Sequence, residues 1–507
     1  MSEHPTHDFC GASDDPPRPR PEPQEPPAAR RVIPPADLIR RARRVVRDDE
    51  PPTWGLDLRA VSDGVEKTRS RSVIDLAMRI GDSTLSTGAS SADVTAAILA
   101  VTRAYGLRSV HVDVTFTSIA VTHHRGPFED PVTMVRIVVG RTPDYQRLAE
   151  TDDLVNAIVH DGLALDDARA RFEQIMAHPR IYRRWIVTLG FIVLAAGVCA
   201  LFGGSPLEIL LACGLVALVD RASLWTARRR LAAFFGQIVG GAIPTAFAML
   251  LVAVRSYWPP MFDDFRPSIL VATGIVVLLA GLAVVGAAQD AIDGYYVTAS
   301  GRTFEVVILT LGILVGVLAV ITLSFRLGVP AYIIPAVTSA SSPLVQVGAV
   351  LAIAAGFAVS GYAGPRTILV ACGLAVLGWI VHQLAGSIGF QSIVATAFAC
   401  VAVGFLAQPM ARRFRVPALA ITTSGIVAFL PGGMVYRGLY YLVEPGMAAT
   451  AGTTGPSLLW GAAATGLAIA GGISLGAYFG RLVTRTHRAG ARAKSKALAR
   501  STADSRE

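Results

Sequence analysis

The sequence predicts a mostly α-helical, polytopic membrane protein, with about ten transmembrane helices preceded by a small cytoplasmic α/β domain. Three observations support this fold class. Of the 507 residues, 52% are hydrophobic and only 16% are charged, whereas about a quarter of the residues in a soluble protein are charged. The charged residues are concentrated in residues 1–184, while residues 185–480 consist mainly of Ala, Val, Leu, Ile and Gly. Short loops that contain arginine separate the long apolar segments.

Residues 1–69 are predicted to form a disordered, Pro-rich cytoplasmic tail. Residues 1–52 contain 12 prolines and almost no aromatic residues, a composition that cannot form a core. The net charge of +9 is compatible with nucleic acid binding. However, the basic residues lie mainly in the tails and in loops between apolar segments, so membrane topology explains them and no nucleic acid partner is expected.

Residues 70–184 are predicted to fold as the cytoplasmic α/β domain. Apolar residues recur at helical spacing in two segments: Val73, Leu76, Ala77 and Ile80, then Val94, Ile98, Val101 and Tyr105. Ser90 or Ser91 can cap the second helix. Between Val110 and Phe116 apolar and polar residues alternate, which predicts a half-buried strand. Two further strands are expected at residues 119–121 and 135–139, and two amphipathic helices follow them.

Ten apolar spans are predicted, in a first five-helix block at residues 185–332 and a second at residues 333–482. The spans are residues 185–202, 206–219, 235–257, 268–289, 303–325, 333–363, 366–385, 388–407, 417–442 and 458–480. Residues 483–507 form a basic cytoplasmic tail. Loops that contain most of the arginines alternate with loops that carry only Arg266 and Arg326, which places both termini in the cytoplasm.

Two similar segments predict an internal duplication of the membrane region. Residues 274–294 (GIVVLLAGLAVVGAAQDAIDG) and 425–445 (GIVAFLPGGMVYRGLYYLVEP) match at six of their first 11 positions, with a constant offset of 151. The same offset carries span 303–325 onto residues 454–476, close to the last span. Because each block has an odd number of crossings, two copies must have opposite orientations, which is the inverted-repeat plan of secondary transporters.

The sequence Leu430-Pro431-Gly432-Gly433 interrupts the fourth span of the second block. Proline removes a backbone donor and glycine removes side-chain bulk, so freed backbone groups can face a solute. Pro431, Gly432 and Gly433 are therefore predicted to line a substrate pathway. The equivalent Leu279-Ala280-Gly281 in the first block lacks the proline, so it is either a second break or a close-packing site.

Polar residues near these breaks complete the predicted substrate and proton pathway. Gln289, Asp290 and Asp293 end the fourth span, Glu305 opens the fifth, and Arg437 lies one to two turns beyond the second break. Ionisable groups in membrane spans tend to line a pathway, form pairs or relay protons. The alternative is that they mark span ends and reach the lipid headgroups. Further polar residues inside spans are Gln237, His382 and Gln383.

With these segments the chain resembles the threonine/serine exporter family over residues 70–480. The resemblance depends on the order and spacing of Gly88-Ala89, Ala104-Tyr105-Gly106-Leu107, His111-Val112-Asp113-Val114, the QDAIDG that ends the fourth span, and VPALAITTSGIVAFLPGGMVYRGL at residues 416–439. It implies a multi-pass exporter of threonine and serine in the bacterial inner membrane, driven by the proton motive force. The implied partners are the small-molecule substrate, protons and the lipid bilayer, and a homo-oligomer stays open.

A passive channel and a membrane-anchored hydrolase are the competing hypotheses. A channel would use the same broken helices as a pore. A hydrolase would use polar residues of the N-terminal domain: His111, Asp113, His123, His124, Glu129 and Asp130. Residues 472–476 match the G-x-S-x-G nucleophile pattern, but they lie inside an apolar span, where Gly472, Gly476 and Gly480 indicate a helix-packing face. No enzymatic activity, cofactor or metal is therefore expected.

Overall fold

The computed structural model describes residues 58–125, 129–138, 143–255, 265–278, 281–328, 342–443 and 454–504. Most of the predicted tail, Leu279-Ala280 of the first break and residues 333–341 of the sixth span lie outside these residues. The first helix begins at Leu58, so residues 58–69, predicted as the end of the disordered tail, are helical. The physical reason is that no proline follows Pro52 until after this helix.

The N-terminal domain combines helices with a three-stranded sheet. Its elements are α1 Leu58–Ser86, α2 Ser91–Ala104, β1 Val110–Val114, β2 Ser118–His123, β3 Val132–Ile137, α3 Tyr145–Asn156 with a π-helical turn Ala157–Asp161, and α4 Leu165–Ala177. Their shared core contains residues predicted from helical spacing: Leu76, Ala77, Ile80, Val94, Ile98 and Val101. Ser90 caps α2, because its hydroxyl accepts a hydrogen bond from the Asp93 amide.

The sheet is antiparallel, in the order β1-β2-β3. Its third strand begins at Val132 and ends at Ile137, so the predicted strand at residues 135–139 is shifted towards the N-terminus. Pairing with β2 explains the shift. Val132 lies opposite His123 and Ile137 lies opposite Ser118, so β3 matches β2 over its whole length.

The membrane region follows directly after the N-terminal domain. Its helices are α5 Arg184–Leu201, α6 Pro206–Arg228, α7 Ala233–Arg255, α8 Pro267–Leu278, α9 Gly281–Ile292, α10 Tyr296–Arg326, α11 Pro343–Ser360, α12 Pro365–Ser387, α13 Ser392–Phe414, α14 Ala418–Ile426, α15 Gly432–Val443 and α16 Gly455–Asp504. Among the described residues, seven helices are long and apolar enough to cross a membrane. The bent pairs α8–α9 and α14–α15 raise this number to nine if each pair is one span.

Helix α6 is longer than the predicted second span. It extends to Arg228 and has 23 residues, whereas the sequence analysis ends this span at residue 219. The difference arises because Asp220, the buried acid at the predicted end, has a partner, as does Glu208 in the first turn of α6. Glu208 accepts a hydrogen bond from the Arg266 amide at 2.6 Å, and Asp220 forms an ion pair with Arg184. Neutralised in this way, the acids do not end the helix, although they make it less apolar than its neighbours.

The two bent pairs have matching bounds. Helix α8 runs from Pro267 to Leu278 and α9 from Gly281 to Ile292. In the second block, α14 with its following 3₁₀ turn runs from Ala418 to Phe429, and α15 runs from Gly432 to Val443. Each of these four bounds lies 151 residues beyond its counterpart, since 418 minus 267, 429 minus 278, 432 minus 281 and 443 minus 292 are equal. The bends are 49° and 45°.

The helices that follow the bent pairs depart from this offset. Helix α10 begins at Tyr296 and α16 begins at Gly455, which are 159 residues apart (455 minus 296). The sequence-based alignment of span 303–325 with residues 454–476 is therefore displaced. The reason is that the segment between α15 and α16 contains more residues than the three between α9 and α10.

Glycines let three pairs of membrane helices approach closely. Where α5 crosses α11, a Cβ placed on Gly356 would lie 2.5 Å from the carbonyl oxygen of Gly190. Helices α7 and α10 meet in the same way at Gly316, and α13 and α16 meet at Gly476. Gly472 and Gly480 also lie against α13, so the predicted helix-packing face is confirmed. Ser474 consequently lies inside a helix and not at a strand-to-helix turn.

Candidate functional site

The predicted break at residues 431–433 lies between the two helices of the second bent pair. Helix α14 passes into a 3₁₀ turn at Val427–Phe429, and Leu430 is then extended, with φ −60° and ψ 134°. The Pro431 carbonyl accepts hydrogen bonds from the amides of Met434 and Val435, both at 3.0 Å. Since proline itself has no amide hydrogen, the regular helical ladder stops at Leu430 and a new helix begins at residue 432.

The second break contacts the bent span of the first block. A Cβ placed on Gly432 would lie 2.8 Å from Cγ2 of Val276 in α8. One placed on Gly433 would lie 3.5 Å from the ring of Phe202 at the end of α5. The absence of a side chain at Gly432 therefore allows the start of α15 to approach α8 closely. The break of the second bent span thus contacts α8 two residues before that helix ends.

A small apolar cleft lies beside this contact. Its lining includes Ile275, Ile313, Val317, Tyr436 and Tyr440. The Tyr436 hydroxyl is buried and has no hydrogen-bond partner within the part of the chain that the structure describes.

Arg437, the next residue along α15, is half-buried. Its Nε donates a hydrogen bond to the carbonyl oxygen of Gly433 at 3.4 Å. Arg437 therefore contacts the break from within its own helix.

A second group of polar residues surrounds Asp290, at the end of α9. The carboxylate is fully buried. Its Oδ2 lies 3.1 Å from Nη1 of Arg302 in α10, and its Oδ1 accepts a hydrogen bond from the Ser91 amide at 2.9 Å. Arg302 is only 3% exposed and donates through Nη2 to the carbonyl of Ala89 at 3.0 Å. Asp290 was predicted from the sequence as a site residue and Arg302 was not, although the short turn between α9 and α10 indicates that these helices are neighbours.

The Asp290–Arg302 pair belongs to a contact between the N-terminal domain and the first block. The Tyr295 hydroxyl donates to Thr95 Oγ1 at 3.2 Å, and the Thr298 hydroxyl donates to the Val114 carbonyl at 3.0 Å. We call this set the first-block contact: Ala89, Ser91, Thr95, Val114, Asp290, Tyr295, Thr298 and Arg302. It connects the start of α2 and the end of β1 with the end of α9 and the start of α10.

The N-terminal domain also contacts the second block. The Tyr145 amide donates to the Gly361 carbonyl at 2.9 Å, and Thr423 Oγ1 in α14 donates to the Tyr145 hydroxyl at 3.0 Å. The Tyr182 hydroxyl donates to the Ala363 carbonyl at 3.0 Å. Burial raises the pKa of Tyr145 to about 12, so its phenol stays neutral and can keep this hydrogen bond at physiological pH. We call these five residues the second-block contact.

The remaining predicted polar residues are more accessible. Gln289 and Glu305 are half-buried, whereas Asp293 is exposed. Partial burial raises the pKa of the Asp293 carboxyl, the charges of Asp93 and Asp290 act in the same direction, and Arg481 opposes them. The predicted site residues thus fall into two groups, one where α9 meets α10 and one at the start of α15.

The polar residues of the sheet are divided between its two faces. His111 lies opposite Thr122, whereas His123 lies opposite Val110 and is buried. The rings of His111 and His124 are 5.4 Å apart, and Glu129 pairs with Arg125 at 3.2 Å. Among the residues that the structure describes, no group of three or more His, Cys, Asp or Glu side chains could hold a metal ion.

Comparisons with known proteins identify the family. The models described as "Putative threonine/serine exporter" and "Threonine/Serine exporter, ThrE" match residues 75–324 and 346–483. A "Probable threonine/serine exporter" from Mycobacterium tuberculosis is 36% identical over 451 residues, which cover 87% of this chain and 83% of the relative. The chain belongs to the threonine/serine exporter family. A second family member, the "Threonine/serine exporter" of Corynebacterium glutamicum, is 32% identical over 432 residues, or 84% of this chain and 86% of the relative.

Membership of the threonine/serine exporter family fits the apolar helices. The chain is a multi-pass bacterial membrane protein, and its relatives indicate a transporter rather than an enzyme. The two family matches divide the chain between residues 324 and 346, which lie near the end of α10 and the start of α11. No solved structure matches the chain.

Proposed function

We propose that this chain exports threonine and serine from the cytoplasm as a secondary active transporter driven by the proton motive force. The names of the relatives support the substrates and the direction of transport. The observation that carries the proposal is the meeting of two bent spans, one from each half, at Gly432 and Val276. Secondary transporters built from repeated halves bind their solutes where such interrupted helices meet.

The two halves are proposed to be inverted repeats with five crossings each. Supporting this, the fourth crossing is bent in both halves, with bounds displaced by 151 residues. The third and fifth crossings also pack together in both, as α7 with α10 and α13 with α16. Helix α6 would be the remaining crossing of the first half. With the arginine-rich loops in the cytoplasm, the N-terminal domain and both termini would lie there too.

Backbone groups at the second break are proposed to bind the charged ends of the amino acid. The start of α15 at Gly432 and Gly433 carries the partial positive charge of a helix N-terminus, which favours the substrate carboxylate. Carbonyl groups on the other side of Pro431 suit the ammonium group. Arg437, one turn further along α15, adds a positive charge to the same end of the site.

Gln289, Asp290, Asp293 and Glu305 are proposed to form the proton pathway at the cytoplasmic end. The raised pKa of Asp293 brings its proton exchange closer to neutral pH than that of an ordinary aspartate. Asp290 is held by Arg302 and the Ser91 amide, so it would take up a proton only when the first-block contact separates. In this proposal, movement of the two halves and protonation of Asp290 are therefore coupled.

Transport by the purified full-length protein in liposomes tests the proposal. Efflux of labelled threonine should accelerate when a proton gradient is imposed and should slow when a protonophore collapses the gradient. Pro431→Ala should abolish most of this efflux, because alanine restores the missing amide and allows a continuous helix. Pro409→Ala is the matched control, since Pro409 lies inside α13, away from both breaks. Efflux that ignores the gradient would instead support a passive channel.

A further inference from the structure

The second block contains very few groups that can exchange protons. Between Glu305 and Asp504 the chain has a single acidic residue, Glu444, which lies between α15 and α16. His382 is the only histidine from residue 179 to residue 486. Histidine is the side chain whose ordinary pKa lies between 5 and 8. Within α11 to α15, His382 is therefore the residue suited to bind and release a proton near neutral pH.

His382 lies in α12 and packs against the second break. Its ring stacks on Trp379, with centroids 5.6 Å apart and an interplanar angle of 26°. Its centroid is also 5.6 Å from that of Phe429. Phe429 is the last residue of the 3₁₀ turn that precedes Leu430 and Pro431. The imidazole therefore touches the segment in which the helix is interrupted.

The hydrogen bond of the ring indicates which nitrogen can accept a proton. His382 Nδ1 is 3.4 Å from Thr396 Oγ1, and the Thr396 hydroxyl donates its own hydrogen to the Ser392 carbonyl at 2.8 Å. The threonine oxygen can then only accept from Nδ1–H, so this arrangement favours the tautomer that leaves the Nε2 lone pair available. Protonation at Nε2 would place a positive charge beside two aromatic faces, which favour a cation.

The polar groups around His382 are uncharged. From α11, Gln346 accepts hydrogen bonds from Trp379 Nε1 at 3.3 Å and from Gln383 at 2.8 Å. From α13, Thr396 and the backbone of Ala395 face the imidazole. Phe429 covers it from the 3₁₀ turn. None of these neighbouring groups carries a charge, so the charge of His382 itself sets the electrostatics among them.

We propose that His382 is the residue of the second block that takes up and releases the transported proton, and that Phe429 transmits its charge state to the break. This inference rests on the proposed proton-driven export. A proton from water on the outer side binds Nε2, the charged ring changes its packing on Trp379 and Phe429, and the proton later leaves towards the cytoplasmic carboxylates. His382 thus complements Asp290, Asp293 and Glu305, which lie in the other half of the membrane region.

Two transport modes of the full-length protein in liposomes test the role of His382. His382→Gln should reduce threonine export driven by a proton gradient to the background of empty liposomes. Exchange of labelled for unlabelled threonine without a gradient should continue, because substrate binding does not need the imidazole. His178→Gln is the control for histidine substitution, since His178 is an exposed residue of the N-terminal domain, and it should preserve both modes.

The outcomes separate this inference from the proposed function. If wild-type export ignores the gradient, the proposed function fails. If the proton gradient drives export by the wild-type protein and also by the His382→Gln variant, with the same pH profile, the proposed role of His382 is overturned.

Thr396→Val provides a second test that keeps the imidazole, in case His382→Gln does not fold. Loss of the hydroxyl removes the hydrogen bond that Thr396 accepts from His382 Nδ1–H, and this bond is stronger when the imidazole is charged. The charged form is then less favoured, so the pH of half-maximal export should fall. An unchanged pH profile in this variant would also overturn the inference.

Discussion

The buried ion pair between Asp290 and Arg302 leads to a sharp prediction about stability. Both side chains are almost completely excluded from solvent, and their closest atoms are 3.1 Å apart. Removing one member of a buried pair leaves the other charge without compensation and costs about 3–5 kcal/mol. Arg302→Met should therefore destabilise the protein by about that amount. Asp290→Asn should do the same, although asparagine can still accept the hydrogen bond from the Ser91 amide.

The double variant Asp290→Asn/Arg302→Met removes both charges and should recover much of this loss. Thermal unfolding of the four proteins in detergent gives the coupling free energy, which we expect to exceed about 1 kcal/mol. Glu173→Gln is the control, because the Arg79–Glu173 pair is exposed and such pairs contribute about 0–1 kcal/mol. The reasoning would be refuted if the two single substitutions lowered the free energy of unfolding additively and each by no more than Glu173→Gln does. Burial would then not make the Asp290–Arg302 pair important for stability. Asp290→Asn should also reduce export without loss of membrane insertion.

Three further predictions concern other contacts. Thr423→Val removes the hydrogen bond to Tyr145 and should destabilise the protein by about 0.5–1.5 kcal/mol in the same unfolding assay; no change would show that this bond does not secure the domain. Gly476→Ala places a Cβ 2.2 Å from the Val401 carbonyl and should be destabilising by about 1–3 kcal/mol or more, whereas Gly373→Ala meets no atom within 4 Å and should be neutral. Because the folded state raises the pKa of Asp293, it binds this proton more tightly than the unfolded state does, so this contribution to stability falls as pH rises through that pKa. Asp293→Asn should flatten the pH dependence, and an identical profile would contradict the assignment.

Much of the helical framework could be predicted from the sequence because it depends on local patterns. Apolar periodicity located the helices of the N-terminal domain, and the proline in Leu430-Pro431-Gly432-Gly433 located the second break. The end of α6 could not be predicted in the same way. Asp220 marks a span end in a linear sequence, but its partner Arg184 is 36 residues away and allows the helix to continue.

The candidate site was predicted less completely, because its contacts join distant parts of the chain. Asp290 was selected as an ionisable residue at a span end. Its hydrogen bond to Ser91 joins residues 199 positions apart, which no local pattern indicates. In the sequence Arg302 is one of many arginines between apolar segments, whereas its burial against Asp290 and Ala89 gives it a structural role. Similarly, His382 could be recognised from the sequence only as a polar residue inside a span, and its contact with Phe429 comes from the fold.

The N-terminal domain contacts one helix of each bent span, and this limits how the proposed transporter can move. The first-block contact reaches Asp290 at the end of α9, and the second-block contact reaches Thr423 in α14. If the two halves rock against each other, both contacts cannot persist. The second-block contact consists of neutral hydrogen bonds, each contributing about 0.5–1.5 kcal/mol, whereas the hydrogen bonds of Ser91 and Ala89 to the charged Asp290 and Arg302 contribute about 1.5–3 kcal/mol each. The domain should therefore separate from the second block first, and the first-block contact should open only in the step that protonates Asp290.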